Sequence, residues 1–166
     1  MPLLSLNTWP AMSRDTKRQL IHQLTNTTVE TLNMIPDKIQ ILIHEQEPEN
    51  FGKAGAMASD PTFSFDSRIT NWQTRVSYGT DASPVASMAI LTIDVWDTFH
   101  QETKDAWVNK LTEDLSLFTH APGDKILILI REMPPGNWAQ NGVTGIHEDF
   151  LTKSRRVYDL LSYFLD

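Results

Sequence analysis

The residue with the clearest chemical potential is a proline directly behind the initiator methionine, in Met1-Pro2-Leu3-Leu4. An initiator methionine before a small residue is commonly removed. Its removal leaves Pro2 at the N-terminus with a secondary amine, a general base or nucleophile that no internal proline supplies. An α-amino group titrates at roughly 7.7–8.0, and partial burial in an apolar site lowers that value toward neutrality. Such an amine can take a proton from one substrate atom and return it to another. Other constellations point elsewhere or nowhere. His44-Glu45 and His147-Glu148 lack the second histidine that a zinc-protease helix needs. There is no glycine-rich phosphate loop and no nucleophile elbow. The chain has no cysteine, which excludes disulfides and thiolate metal sites. Neither a metal nor a cofactor is expected.

The elements that must position Pro2 follow from periodicity. Residues 3–9 read as a strand ended by Pro10, and Ser13 is a good N-cap for a helix over residues 14–33. Pro36 punctuates. Residues 38–44, Lys-Ile-Gln-Ile-Leu-Ile-His, read as a second strand, apolar enough to be covered on both faces. Strand, long helix and strand imply a parallel pair with a right-handed crossover.

The unit then returns. Shifted by 87, residues 2–55 align with 89–142 without a gap, and sixteen of these fifty-four positions are identical. Chance gives about three, so this is a duplication. Trp9 falls on Trp96, Asp37-Lys38-Ile39 on Asp124-Lys125-Ile126, and Ile41-Leu42-Ile43 on Ile128-Leu129-Ile130. The second copy carries a strand at 89–95, a helix at 100–119 and a strand at 125–130. Residues 56–88 form a linker whose Phe63, Phe65 and Trp72 pack onto the core, and 143–166 form a tail with an amphipathic helix over 150–165.

The expected fold is α/β (α+β) in one domain over residues 1–166. Tandem βαβ units build a four-stranded mixed sheet with two helices on one face, plus the C-terminal helix. The bare sheet face calls for burial against copies of the chain, so an oligomer is expected. A net charge of −7 and a pI near 5.1 argue against nucleic acid as a partner. No apolar run approaches the roughly 20 residues of a membrane span, and no basic segment precedes an apolar one as in a signal peptide. A cytoplasmic protein is the expectation.

The Met-Pro start, the strand–helix–strand unit and the closing Glu-x-x-Pro-x-Asn-(Phe/Trp)-x-x-x-Gly turn resemble the tautomerase superfamily. Two fused copies are similar to its two-unit branches, the malonate semialdehyde decarboxylases, cis-3-chloroacrylic acid dehalogenases and fused tautomerases. The resemblance implies that Pro2 is catalytic and that only the first copy supplies it, because Ala89 is internal. It implies one site per chain in a homotrimer acting on a small carbonyl compound. Asp37 matches an aspartate near the proline in the decarboxylase branch, or is a turn residue doubled at Asp124. Phe51 matches a pocket aromatic of the short tautomerases, or plugs the sheet end with its mate Trp138.

The departures are informative. The helix-start arginine of the short tautomerases is Met12 here and Phe99 in the second copy, and their strand arginine falls on Gln40 and Leu127. The arginine pair of the decarboxylases falls on Asp97 and Phe99. The dehalogenase set falls on Thr28, Trp96, Phe99, Leu129 and Gln140. Arg75 and Arg131, with Lys53 and His44, are the cations left to bind a carboxylate. Met12, Trp96 and Phe99 make the expected pocket apolar, which favours an aryl or uncharged carbonyl compound over a dicarboxylate. The expected activity is keto–enol tautomerisation. The alternatives are a catalytically silent trimeric binding or scaffold protein of the same fold, and a decarboxylase or hydratase acting on a small 3-oxo or unsaturated acid.

Overall fold

The computed structural model describes residues 1–79 and 84–157. Strand β1 (Leu3–Trp9) is followed by helix α1 (Arg14–Leu32) and strand β2 (Gln40–Glu45). Short pieces come next: β3 (Gly52–Lys53), β4 (Ala56–Met57), α2 (Phe63–Asp66), β5 (Ile69–Asn71) and β6 (Val76–Ser77). The second unit runs β7 (Met88–Trp96), α3 (Gln101–Thr119) and β8 (Ile126–Met133), then β9 (Ala139–Gln140), β10 (Val143–Thr144) and α4 (Phe150–Ser154).

Local chemistry sets the ends of α1. The Ser13 hydroxyl accepts from the Thr16 N–H, and Asn33 closes the helix in the left-handed region at φ 49°. The sheet order is β2-β1-β7-β8, with β1 parallel to β2, β7 parallel to β8, and β1 antiparallel to β7. Ser5 lies opposite Thr92, its own counterpart at the shift of 87. The two copies are therefore related by a local twofold axis through that pair.

Alternation along β1 and β7 turns Leu4, Leu6, Leu91 and Ile93 toward the helices, where they meet Leu20, Leu24, Trp107, Leu111 and Leu115. Each fully buried side chain of this size contributes about 1.5–3 kcal/mol. The helix seam also carries polar bonds. Thr27 Oγ1 donates to Asp114 at 2.5 Å, and Trp107 Nε1 donates to Thr28 Oγ1 at 3.1 Å.

The opposite sheet face is bare within the chain. Strand β2 is not covered on both sides as its composition suggested: Ile41 and Ile43 pack on the core while Gln40, Leu42 and His44 are exposed. Leu127 and Leu129 of β8 are exposed beside them. The C-terminal helix is also shorter than expected. It covers Phe150–Ser154, residues 155–157 are not helical, and Leu160, Leu161 and Phe164 lie outside the described residues. Among the described residues no helix is long and apolar enough to cross a membrane.

The duplication extends into the stretches that looked like linker and tail. Hairpins β3–β4 and β9–β10 are 87 residues apart, as are α2 and the first residues of α4. Both hairpins turn through two residues of positive φ, Ala54-Gly55 and Asn141-Gly142, the conformation that suits tight hairpins. Phe63, Ser67 and Arg68 recur as Phe150, Ser154 and Arg155.

Candidate active site

Pro2 sits where β1 begins. Leu3 pairs with Gln40 on one side and Asp94 on the other, and the Gln40 N–H donates to the Pro2 carbonyl at 3.1 Å. Pro2 shares its alternation with Leu4 and Leu6 and is buried, and Met1 is 4% exposed. A pocket of about 340 Å³ opens here, walled by Met1, Met34, Lys38, Trp96, Phe99 and Phe150. The amine of Met1 is pushed down to about 6 from the usual 8.0, first by burial and then by the Lys38 ammonium.

Lys38 is a buried cation lining this pocket. A 3-10 turn at Pro36–Lys38 ends just before β2 and turns its side chain inward, leaving it 3% exposed. Its Nζ donates to Ser154 Oγ at 3.0 Å and Gln140 Oε1 at 3.4 Å, and stands 5.7 Å from the centre of the Phe150 ring. Asp37, the adjacent residue, is 3.5 Å away. Its carboxylate is gripped instead by Arg155, whose Nε and Nη2 donate to the two oxygens at 2.8 and 3.1 Å. That bidentate pair holds the Asp37 carboxyl below the usual carboxylate range, with Lys38 adding to the effect.

Trp96 closes β7 and leans on Phe150, with ring centres 5.8 Å apart. Its indole lies on Gly145, where a Cβ would come 2.5 Å from Trp96 Cζ2 and 2.7 Å from the Pro135 carbonyl oxygen. The indole N–H of Trp96 is buried with no acceptor among the described residues.

Of the residues singled out in the sequence, Trp96 and Phe99 wall this pocket beside Met1, Pro2 follows Met1 at the start of β1, and Asp37 adjoins Lys38. Arg131 is near in register, opposite Asp94, but on the bare face of the sheet, where it pairs with Asp94 at 2.7 Å. Phe51 stacks on Trp9, at the far end of β1, with ring centres 4.7 Å apart. Met12 follows that same end, its N–H donating to Glu45. Arg75 pairs with Asp66 of α2, whose Phe63 packs on Trp9. The structure does not bring Phe51, Met12 or Arg75 to Pro2 of the same chain. Lys38, Phe150, Ser154 and Arg155 were not singled out. The repeated Asp-Lys and Ser-Arg pairs at the shift of 87 were the available signal. Among the described residues no group of His, Asp and Glu is arranged to hold a metal ion.

Comparison with known proteins decides the family. The family model described as "Tautomerase enzyme" matches residues 2–60 and 90–145, one match on each copy. The chain belongs to the tautomerase family. It is similar to the probable tautomerase BH3814 of Halalkalibacterium halodurans, 30% identical over 60 residues, which is 36% of this chain and 98% of that protein. Among solved structures it is similar to a fused 4-OT described as a wild-type asymmetric trimer. The TM-score is 0.65 at 18% identity, covering 86% of this chain and 95% of that one. It is also similar to Pt0534 inactivated by 2-oxo-3-pentynoate, with a TM-score of 0.66 at 12% identity and the same coverages.

The other end of this tautomerase fold repeats the site without the amine. Ala89 stands where Pro2 does, fully buried and internal to the chain. Lys125 Nζ is 2.5 Å from Asp124, which also accepts from Arg68 at 2.8 and 3.0 Å and from the Tyr78 hydroxyl at 3.0 Å. Lys53, the counterpart of Gln140, donates to the Asp124 carbonyl at 2.7 Å. These donors hold the Asp124 carboxyl far below the usual range against the opposing effect of burial, which is the largest single influence on it.

Proposed function

We propose that the chain, with Met1 removed, catalyses keto–enol tautomerisation of a small 2-oxo or related carbonyl compound with the Pro2 amine as base. The observation that carries this reading is the position of Pro2, buried at a sheet end where the preceding Met1 amine is lowered to about 6 by burial and by the Lys38 ammonium. Pro2 follows by one residue at the same sheet end, so burial and Lys38 act on its amine in the same direction. In its neutral form that amine takes the enol hydroxyl proton and delivers it to the adjacent carbon, or the reverse. Trp96, Phe99 and Phe150 offer the substrate an apolar wall, which suits an aryl or alkyl tail. Asp37 acts at one remove by anchoring Arg155 and flanking Lys38.

The assembly that fits is a homotrimer. The support is the bare sheet face with exposed Leu42, Leu127 and Leu129, and the trimeric description of the fused 4-OT neighbour. One site per chain follows, because Ala89 has no free amine.

Covalent capture tests the base. The alkynyl ketone 2-oxo-3-pentynoate should add the Pro2 nitrogen across its triple bond, and peptide mapping should place the whole added mass on Pro2. Labelling spread over lysines, or an intact mass that retains Met1, overturns the reading.

A further inference from the structure

The missing arginines leave open what holds the substrate's oxygen, and the duplication supplies an internal control. Both copies bury a lysine in the same place, yet the two lysines have different surroundings. Lys125 is in contact with its neighbouring carboxylate at 2.5 Å, and Asp124 is further tied to Arg68 and Tyr78. At that end the lysine is paired directly with its carboxylate. Lys38 is equally buried, but its neighbouring carboxylate is 3.5 Å away and held by Arg155. The close acceptors of Lys38 are neutral, the Ser154 hydroxyl and the Gln140 amide oxygen. A buried ammonium whose shortest contacts are to neutral acceptors, and whose counter-charge at 3.5 Å is shared with Arg155, favours an incoming anion. Lys38 also lines the pocket at Met1. Trp96, in the same wall, has a buried N–H without an acceptor among the described residues.

We infer that Lys38 is the cation that binds an anionic substrate oxygen in this pocket, so that the preferred ligand is a monoanionic aryl or alkyl 2-oxo acid. This deepens the proposed tautomerase reading and rests on it for the reaction, but not for the binding. A single ammonium facing an apolar wall matches one carboxylate and one apolar tail. A second carboxylate would lie against Trp96, Phe99 or Phe150, with no second cationic side chain among the described lining residues. Lys38 thereby takes over the role that arginines at positions 12 and 40 would have had, from a turn two residues before β2.

The test separates binding from turnover. Isothermal titration of wild type, with its N-terminal residue fixed by intact mass, compares phenylacetate with its neutral isostere phenylacetamide. Phenylacetate should bind at least about 10-fold more tightly, the lower part of the range for a charge-assisted hydrogen bond. Equal binding overturns the inference and needs no variant to fold. In Lys38→Met the phenylacetate affinity should fall about 10- to 100-fold, with Lys38→Arg recovering part of it. Ketonisation adds a second readout: kcat/KM for phenylenolpyruvate should fall by a similar factor in Lys38→Met, while that for its methyl ester changes less than about 3-fold. Equal loss on acid and ester overturns the inference. If phenylacetate binding depends on Lys38 but Pro2→Ala turns over substrate as fast as wild type, the tautomerase mechanism falls and the anion site stands. If Pro2→Ala is inactive but Lys38→Met binds phenylacetate like wild type, the anion site falls and the mechanism stands.

Discussion

Replacing Lys38 by methionine should raise the titration midpoint of the N-terminal amine, and the structure sets how far. The Met1 amine is lowered from 8.0 to about 6, with burial the larger cause and the Lys38 ammonium the smaller. Methionine keeps the length and the apolar stem, so burial remains while the charge goes. Less than half of the shift should therefore return, so the midpoint of the variant should rise yet stay nearer 6 than 8. The sign is fixed: a neighbouring positive charge disfavours the ammonium form, so removing it favours protonation. An amine titrating at about 6 is about nine-tenths neutral at pH 7, against about one-tenth at 8. A ¹⁵N NMR titration of the α-amino group in protein that retains Met1 reads the midpoint directly. A midpoint unchanged in Lys38→Met would refute the coupling between the two groups. A midpoint restored fully to 8 would refute burial as the dominant cause.

Further perturbations address the rest of the account. Gly145→Ala should cost about 1–3 kcal/mol and shift Trp96 fluorescence, because the new Cβ meets both the indole and the Pro135 carbonyl oxygen. Gly123→Ala, with nothing within 4 Å, should leave the urea midpoint nearly unchanged, and equal effects at the two glycines would contradict the packing. Arg68→Ala should cost about 1–3 kcal/mol in urea unfolding, since it removes two charge-assisted bonds to Asp124 from a side chain only 6% exposed; a change under about 0.5 kcal/mol would contradict this. The Met1 amine binds fewer protons folded than unfolded between pH 6 and 8. Protein that retains Met1 should therefore gain stability as pH rises across that window, and N-terminal acetylation should flatten this part of the dependence.

The frame of the molecule was legible because it is written twice. Identical residues at one spacing marked both βαβ units, and alternation in Leu3–Trp9 identified the strand that carries Pro2. The site was legible only in part. Trp96 and Phe99 were found through the family positions they fill, and both wall the pocket. Lys38 was overlooked because lysines are almost never fully buried unless paired. Its burial here depends on Ser154 and Gln140, more than a hundred residues away. Arg155 was missed for the same reason, since its contact with Asp37 spans 118 residues. Arg75 looked available, but it sits in a turn at φ 52° that directs it to Asp66. The repeat was cut short at residues 55 and 142 because the copies diverge in sequence beyond the hairpins. The geometry of Phe63–Asp66 and Phe150–Ser154 still matches.

The central claim is that the amine at position 2 moves the proton. It is tested most directly by phenylenolpyruvate ketonisation in protein shown by intact mass to begin at Pro2, compared with Pro2→Ala processed to the same position. Loss of a positioned base costs about 10²-fold or more, with a primary amine left in place setting the lower end. The account predicts a drop of about that size with unchanged secondary structure by circular dichroism. Equal rates in the two proteins would contradict it.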